Sequence, residues 1–205
     1  SKGRLTVGVG VGWLKEEFAA LGAPPFEERG AVSNEYIRAF KELWTSDNPS
    51  FRGNYCSFSD IRFEPKPVQK PHPPIWIGGE SPAAIRRAAT LGDAWHPIGS
   101  NPQYPLGKPE QLSEAMDKLA RCAAEVGRNP ADIELAFRVH EYKLTSKGHL
   151  RPFVGTANDI AEDIRAFARV GTKHLVFSFP GANSKQIMAA MDEFAAEIMP
   201  KVNDS

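Results

Sequence analysis

Residues 74–95 read PIWIGGESPAAIRRAATLGDAW. The run Ile75-Trp76-Ile77, bounded by Pro74 and by Gly78-Gly79, has the β-branched and aromatic content of a short buried strand. Ser81, then Pro82, then an alanine-rich stretch closing at Gly92 supply an N-cap, a first-turn proline and a C-terminal glycine in the order a helix uses them. A second apolar run, DAWHPIG at 93–99, begins at once. Strand, turn, helix, turn and strand in this succession predict a βαβ unit, whose crossover of about a dozen residues or more lets two parallel strands pair.

The same alternation extends in both directions. LTVGVGV (5–11), PIWIGG (74–79), DAWHPIG (93–99), IELAFRVHEYKL (133–144) and HLVFSFPG (174–181) read as five strands. Helical period runs through SNEYIRAFKELW, where Tyr36, Phe40, Leu43 and Trp44 fall near one stripe. It also runs through the helix after Ser81, PEQLSEAMDKLARCAAEVG ending at Gly127, TANDIAEDIRAFARVG capped by Thr156 and ending at Gly171, and SKQIMAAMDEFAAEIMP, which Pro200 should stop. Such alternation predicts a parallel α/β fold with right-handed crossovers. The turns GVGW, GGES, HPIG and FPG all follow strands, as in a barrel that delivers every strand end to one rim. A (β/α)8 barrel needs eight strands over about 250 residues, so five units predict part of one. With only Ser1–Arg4 before the first strand, N-terminal units are expected to be missing. Residues 49–74, with six prolines and two short aromatic runs, interrupt the pattern as an excursion, read as a hairpin and a proline-rich crossing inside a single domain spanning 1–205.

Composition sets outer limits. The chain has 205 residues, 41% hydrophobic, with 25 basic and 25 acidic side chains, so it carries no basic footprint for nucleic acid. No apolar stretch approaches the roughly 20 residues of a membrane-spanning helix, and the first residues lack the apolar core of a signal peptide. Cys56 and Cys122 are far apart in sequence and read as free thiols in a reducing cytoplasm, with no zinc or disulfide pattern.

The Gly78-Gly79-Glu80-Ser81-Pro82 turn has two readings. A helix N-terminus offers unpaired N–H groups and about half a positive charge, and glycines let the backbone come close to a ligand, which suits a phosphate. Arg86 and Arg87 add positive field one turn later. The plainer reading is a capped turn whose glycines satisfy backbone angles. Gly8, Gly10 and Gly12 alternate within a strand and lack the GxGxxG spacing of a dinucleotide fingerprint, so they read as one side of a strand open to a flat ring or another backbone. Trp13 either flanks such a ring or covers the core. His96, at the strand end DAWH, is the histidine placed for a ligand contact. His140 reads as part of a polar network with Glu134, Arg138 and Glu141, and His72, His149 and His174 have no motif around them. No triad, HExxH, Walker A or paired-carboxylate pattern is present.

GRLTVGVGVGW (3–13), FEERGAVSNEYIRAFKELW (26–44), the long run from Phe63 to Pro97, VGTANDIAEDI (154–164) and GTKHLVFSF (171–179) together resemble the bacterial luciferase-like family, nearest its coenzyme F420-dependent branch. The resemblance implies a TIM barrel, here its C-terminal five units, binding F420, or FMN as second choice, at the C-terminal rim. It implies that Gly78, Gly79, Glu80 and Ser81 hold the cofactor phosphate, that Gly10, Val11, Gly12 and Trp13 lie near the ring, and that Trp95 and His96 face the same rim. Val11 stands where some FMN-using members have an arginine, which leans toward the deazaflavin. The reaction implied is hydride transfer with a small organic substrate, with an FMN monooxygenase or a non-catalytic cofactor-binding remnant as alternatives. A cytoplasmic homodimer without a metal is also implied. The catalytic residues stay unknown, since the family places them in the earlier units.

Overall fold

The computed structural model describes residues 1–203. Five strands form one parallel sheet in the order β1-β4-β5-β6-β9: β1 (Val7–Val9), β4 (Ile75–Gly78), β5 (Ala94–His96), β6 (Glu134–Arg138) and β9 (Thr172–Val176). The chain divides into two compact units, Ser1–Trp95 with Cys122–Ile133, and His96–Arg121 with Glu134–Ser205.

In the first unit β1 pairs with β4 in parallel, Val7 opposite Ile75 and Val9 opposite Ile77. The isoleucines are fully buried, while Trp76 and Gly78 between them are half-buried, the period of two that a strand imposes. Helix α3 (Pro82–Leu91) lays Ala84, Ile85, Ala88 and Ala89 on this strand; three alanines bring the helix close. Gly92, its C-cap, has no room for a side chain, because a Cβ would lie 2.7 Å from Cγ1 of Ile77. The backbone then locks: Asp93 N–H donates to the Ile75 carbonyl at 2.8 Å, and Ile75 N–H to the Asp93 carboxylate at 2.8 Å. The short α1 (Lys15–Ala20) buries no residue.

Helix α2 (Arg29–Thr45) begins earlier than the sequence pattern indicates, and its inward face differs. Val32, Glu35, Ile37 and Ala39 are buried, whereas Phe40 is exposed and Tyr36, Leu43 and Trp44 are half-buried. The displaced stripe has a polar cause. The excursion does contain a hairpin, β2 (Phe51–Arg52) antiparallel to β3 (Ser57–Phe58). Its turn aims three backbone N–H groups, of Asn54, Tyr55 and Cys56, at the Glu35 carboxylate over 2.7–2.8 Å. Gly53 passes so close that a Cβ would overlap that carboxylate. Burial pushes the Glu35 carboxyl up, but the three donors outweigh it and hold it below the ordinary range. Lys66 closes the other end of α2, its ammonium donating to the Leu43 and Ser46 carbonyls. Cys56 and Cys122 are free thiols.

In the second unit β6 pairs in parallel with β9, with a register shift between Leu135 and Ala136. The strand read through residue 144 ends at Arg138; the two-residue β7 (Lys143–Leu144) pairs instead with β8 (Val154–Gly155). His140 is past the strand end and exposed, and of the network read around it only an electrostatic interaction with Glu141 remains: Glu134 pairs with His174, and Glu141 forms its ion pair with Arg151. Helix α5 (Ala157–Arg169) starts with a full capping box, Thr156 with Asp159. Phe137, Phe153 and Phe167 pack with ring centroids 4.8–4.9 Å apart, and Phe153 continues this cluster through Phe177 to Phe179, Phe194 and Tyr142. Helix α4 (Pro109–Glu125) closes at Gly127, φ +70°. Pro200 does not end the last helix: α6 (Ser184–Glu197) is followed by α7 (Met199–Asn203), with Pro200 in its first turn, where a missing N–H costs nothing.

Candidate cofactor-phosphate site

The β1–β4 pairing sets Gly8 opposite Trp76 and Val9 opposite Ile77, so Gly10–Trp13 and Gly78–Ser81 leave the same end of two adjacent strands. Sequence reasoning grouped these segments, and the register brings them together.

Gly79 adopts φ +103°, a region costly for a side chain, and a Cβ there would lie 3.1 Å from that of Ala84. Its carbonyl accepts a 2.8 Å hydrogen bond from the indole N–H of Trp95, a fully buried residue. Trp95 therefore lies under the turn and pins it, instead of lying open to a ligand. Ser81, in extended conformation, caps α3 by accepting from Ala84 N–H at 3.2 Å, while its carbonyl accepts from Ile85 N–H. Pro82 has no N–H to leave idle. The N–H groups of Gly79, Ser81 and Ala83 have no partner among the described residues, and the Ser81 hydroxyl proton is likewise left to donate outward. Three amides and a hydroxyl at the positive end of a helix form a nest for an oxyanion. The sequence reading missed the Ala83 amide; its signal was its place directly after the first-turn proline. Glu80 is buried and already partnered.

The two arginines read as extra positive field are committed elsewhere. Arg86 pairs with Glu125 at 2.9 Å. Arg87 is buried and donates to the Asn34 side chain and the Gly30 carbonyl, tying α3 to α2, and burial lowers its guanidinium pKa. The turn thus has backbone amides and a hydroxyl, not these arginines, to offer an anion.

On the neighbouring strand end, Gly8 and Gly10 are exposed, and a Cβ on either would meet nothing within 4 Å. Gly12 differs: at φ +83° a Cβ would lie 2.6 Å from the Phe18 ring, so its smallness serves packing. Val11 is half-buried, and Trp13 is 82% exposed, so it covers no core. His96 falls in the second unit, half-buried, with Nδ1 2.6 Å from the Ala136 carbonyl. A carbonyl can only accept, so Nδ1 carries a proton. Among the described residues no group of three potential metal ligands occurs, and no helix is long and apolar enough to cross a membrane.

Comparison with known proteins gives this geometry its context. The family model for luciferase-like monooxygenases matches residues 1–142. The FMNH2-dependent dimethylsulfone monooxygenase of Pseudomonas putida is 46% identical over 101 residues, 48% of this chain and 28% of that protein. The F420-dependent glucose-6-phosphate dehydrogenase of Amycolatopsis mediterranei is 26% identical over 241 aligned positions, which cover 98% of this chain and 71% of the relative. The structure of an F420-dependent secondary alcohol dehydrogenase in complex with an F420-acetone adduct superposes with a TM-score of 0.76 at 20% identity, over 98% of this chain and 71% of that one, which shows a shared fold. The match over residues 1–142 places the chain in the luciferase-like monooxygenase family, and its five-stranded parallel sheet is compatible with part of that family's α/β barrel.

Proposed function

We propose that this chain carries the cofactor-phosphate site of an oxidoreductase that uses F420 to transfer hydride to or from a small organic substrate. One observation supports it above the rest: the Gly78–Ser81 turn at the head of α3 presents unpartnered amides to an anion while both nearby arginines are tied elsewhere. Residues Gly79, Ser81 and Ala83 hold the phosphate; the open edge at Gly8 and Gly10, with Trp13 beyond, receives the ring. The bound cofactor supplies the two-electron chemistry. The protein's part is to fix its phosphate through rigid donors, pinned from below by Trp95, so that the ring lies where the strand end ends. His96, in the second unit, holds a proton on Nδ1. The working form is proposed to be a cytoplasmic homodimer, which sedimentation at several concentrations tests.

A second reading, an FMN-dependent monooxygenase, is favoured by the 46% identity over 101 residues to a protein named for reduced FMN. Fluorescence titration of the chain with F420, repeated with FMN as competitor, separates the two. Saturable binding that prefers F420 supports hydride transfer. Preference for FMN selects the monooxygenase, and binding of neither overturns the assignment of a working site to this chain.

A further inference from the structure

The second unit holds a cavity of about 270 Å³ that shares no residue with the phosphate turn. Its apolar wall is Phe137, Phe153, Pro105 and Pro152. Both phenylalanines are at least 97% buried and fixed by their ring contacts to Phe167, so the wall is preformed. Its polar edge is Lys108, Gln111, His140 and the Arg151–Glu141 ion pair.

Two features separate this cavity from an ordinary packing gap. Phe153 has φ +63°, an unusual conformation for a bulky side chain, and it is held there by its N–H, which donates to the Asp163 carboxylate at 2.7 Å. Phe153 and Arg151, two residues before it, both line this cavity. The charge is also unbalanced. Arg151 and Glu141 form an ion pair, and His140 also acts on the Glu141 carboxylate through space, whereas no hydrogen bond or ion pair of the Lys108 ammonium occurs among the described residues. Gln111 is already engaged, its side-chain carbonyl accepting from Lys108 N–H at 3.1 Å, which draws the start of α4 against the cavity mouth. A flat apolar wall facing an unpaired ammonium, with an imidazole beside it, is complementary to one class of molecule.

The geometry points to a binding site for a small aromatic carboxylate, about the size of one substituted ring, its ring against Phe137 and Phe153 and its carboxylate at Lys108 and His140. The site uses none of the residues assigned to the cofactor, so either assignment stands if the other fails.

Benzoate is the probe, titrated into the full chain by isothermal calorimetry and by amide chemical shifts. Benzyl alcohol keeps the ring without the charge, and acetate keeps the charge without the ring. Benzoate is expected to saturate, shifting amides at Lys108 and Phe153, with both controls weaker by about tenfold. Lys108→Gln is expected to weaken benzoate by about tenfold and leave benzyl alcohol unchanged. Gln111→Trp, which fills the mouth, is expected to abolish all binding, with thermal melting reporting that both variants fold. Unsaturable benzoate, equal affinity for benzoate and benzyl alcohol, or Lys108→Gln that binds like the parent would each overturn the proposal.

Discussion

At the scale of single residues, Ser81 and Gly12 show two different reasons for sequence economy at a turn. Ser81 spends one lone pair on the Ala84 amide and leaves its proton outward. Replacing it with glutamate puts a carboxylate beside the proposed phosphate. Cofactor affinity should fall by about tenfold or more, ~1.4 kcal/mol, in a fluorescence titration, and unchanged affinity would remove the turn from the site. Gly12 answers to Phe18 and to a φ of +83°. Gly12→Ala should cost about 2–4 kcal/mol, from the left-handed backbone and from overpacking. Denaturant unfolding would show that loss whether or not cofactor is present; a variant as stable as its parent would show that Phe18 has room to move. The sequence marked Gly10 and Gly12 alike as candidates for ligand contact, because glycine at an open strand end and glycine beneath an aromatic ring look alike in one dimension.

At the scale of elements, caps were legible and faces were not. Ser81 with Pro82, and Thr156 before α5, announced helix starts through side chains that act within one turn. The buried face of α2 was misread because Glu35 goes inward to meet amides contributed 19–21 residues later, a partner that no local period shows. Tyr142 is the opposite case, a polar atom that burial leaves stranded. Its ring packs among Phe177, Phe179 and Phe194, its hydroxyl has no partner among the described residues, and burial, with the charge of Glu193 behind it, pushes its pKa up to about 12. The folded state thus favours the neutral phenol: its contribution is complete below the ordinary value of 10.0 and is lost as pH climbs toward about 12. Tyr142→Phe should therefore be neutral or stabilising by up to about 1 kcal/mol at neutral pH, and should flatten the alkaline fall in melting temperature. A loss of more than about 1 kcal/mol would mean that the hydroxyl is satisfied after all.

At the scale of the whole molecule, charge balance hides a directional dependence on acid. Glu27 is held low by Lys15, Glu141 by Arg151, Asp159 by Thr156, and Glu162 by Arg169 and Arg165. Glu35 is pushed up by burial but is brought below its ordinary value by the hairpin amides. All five bind protons more weakly folded than unfolded. Their stabilisation is present in full above the ordinary glutamate value of 4.5 and drains away as pH falls through the lower folded values. Melting temperature should be level from neutral pH down to about 5 and fall steadily below it. Glu35→Gln, which removes one such group, should melt lower at neutral pH and lose less on acidification; a slope equal to the parent's would show that the nest does not prefer a carboxylate.

What the sequence determined by itself was the order of strands and helices, their caps, and the turn that heads α3, because each rests on contacts within a few residues and on glycine, proline and serine at fixed offsets. The strand limits were shorter than the apolar runs, as at Arg138, because a strand lasts only while a neighbour pairs with it. Tertiary structure alone decided which side chains serve the turn: that Trp95 lies beneath Gly79 while Arg86 and Arg87 point away, and that Lys108, His140 and Phe153 share one cavity. Those relations join residues up to 57 positions apart, and only the folded register of strands and the packing of helices brings such distant groups within hydrogen-bonding reach.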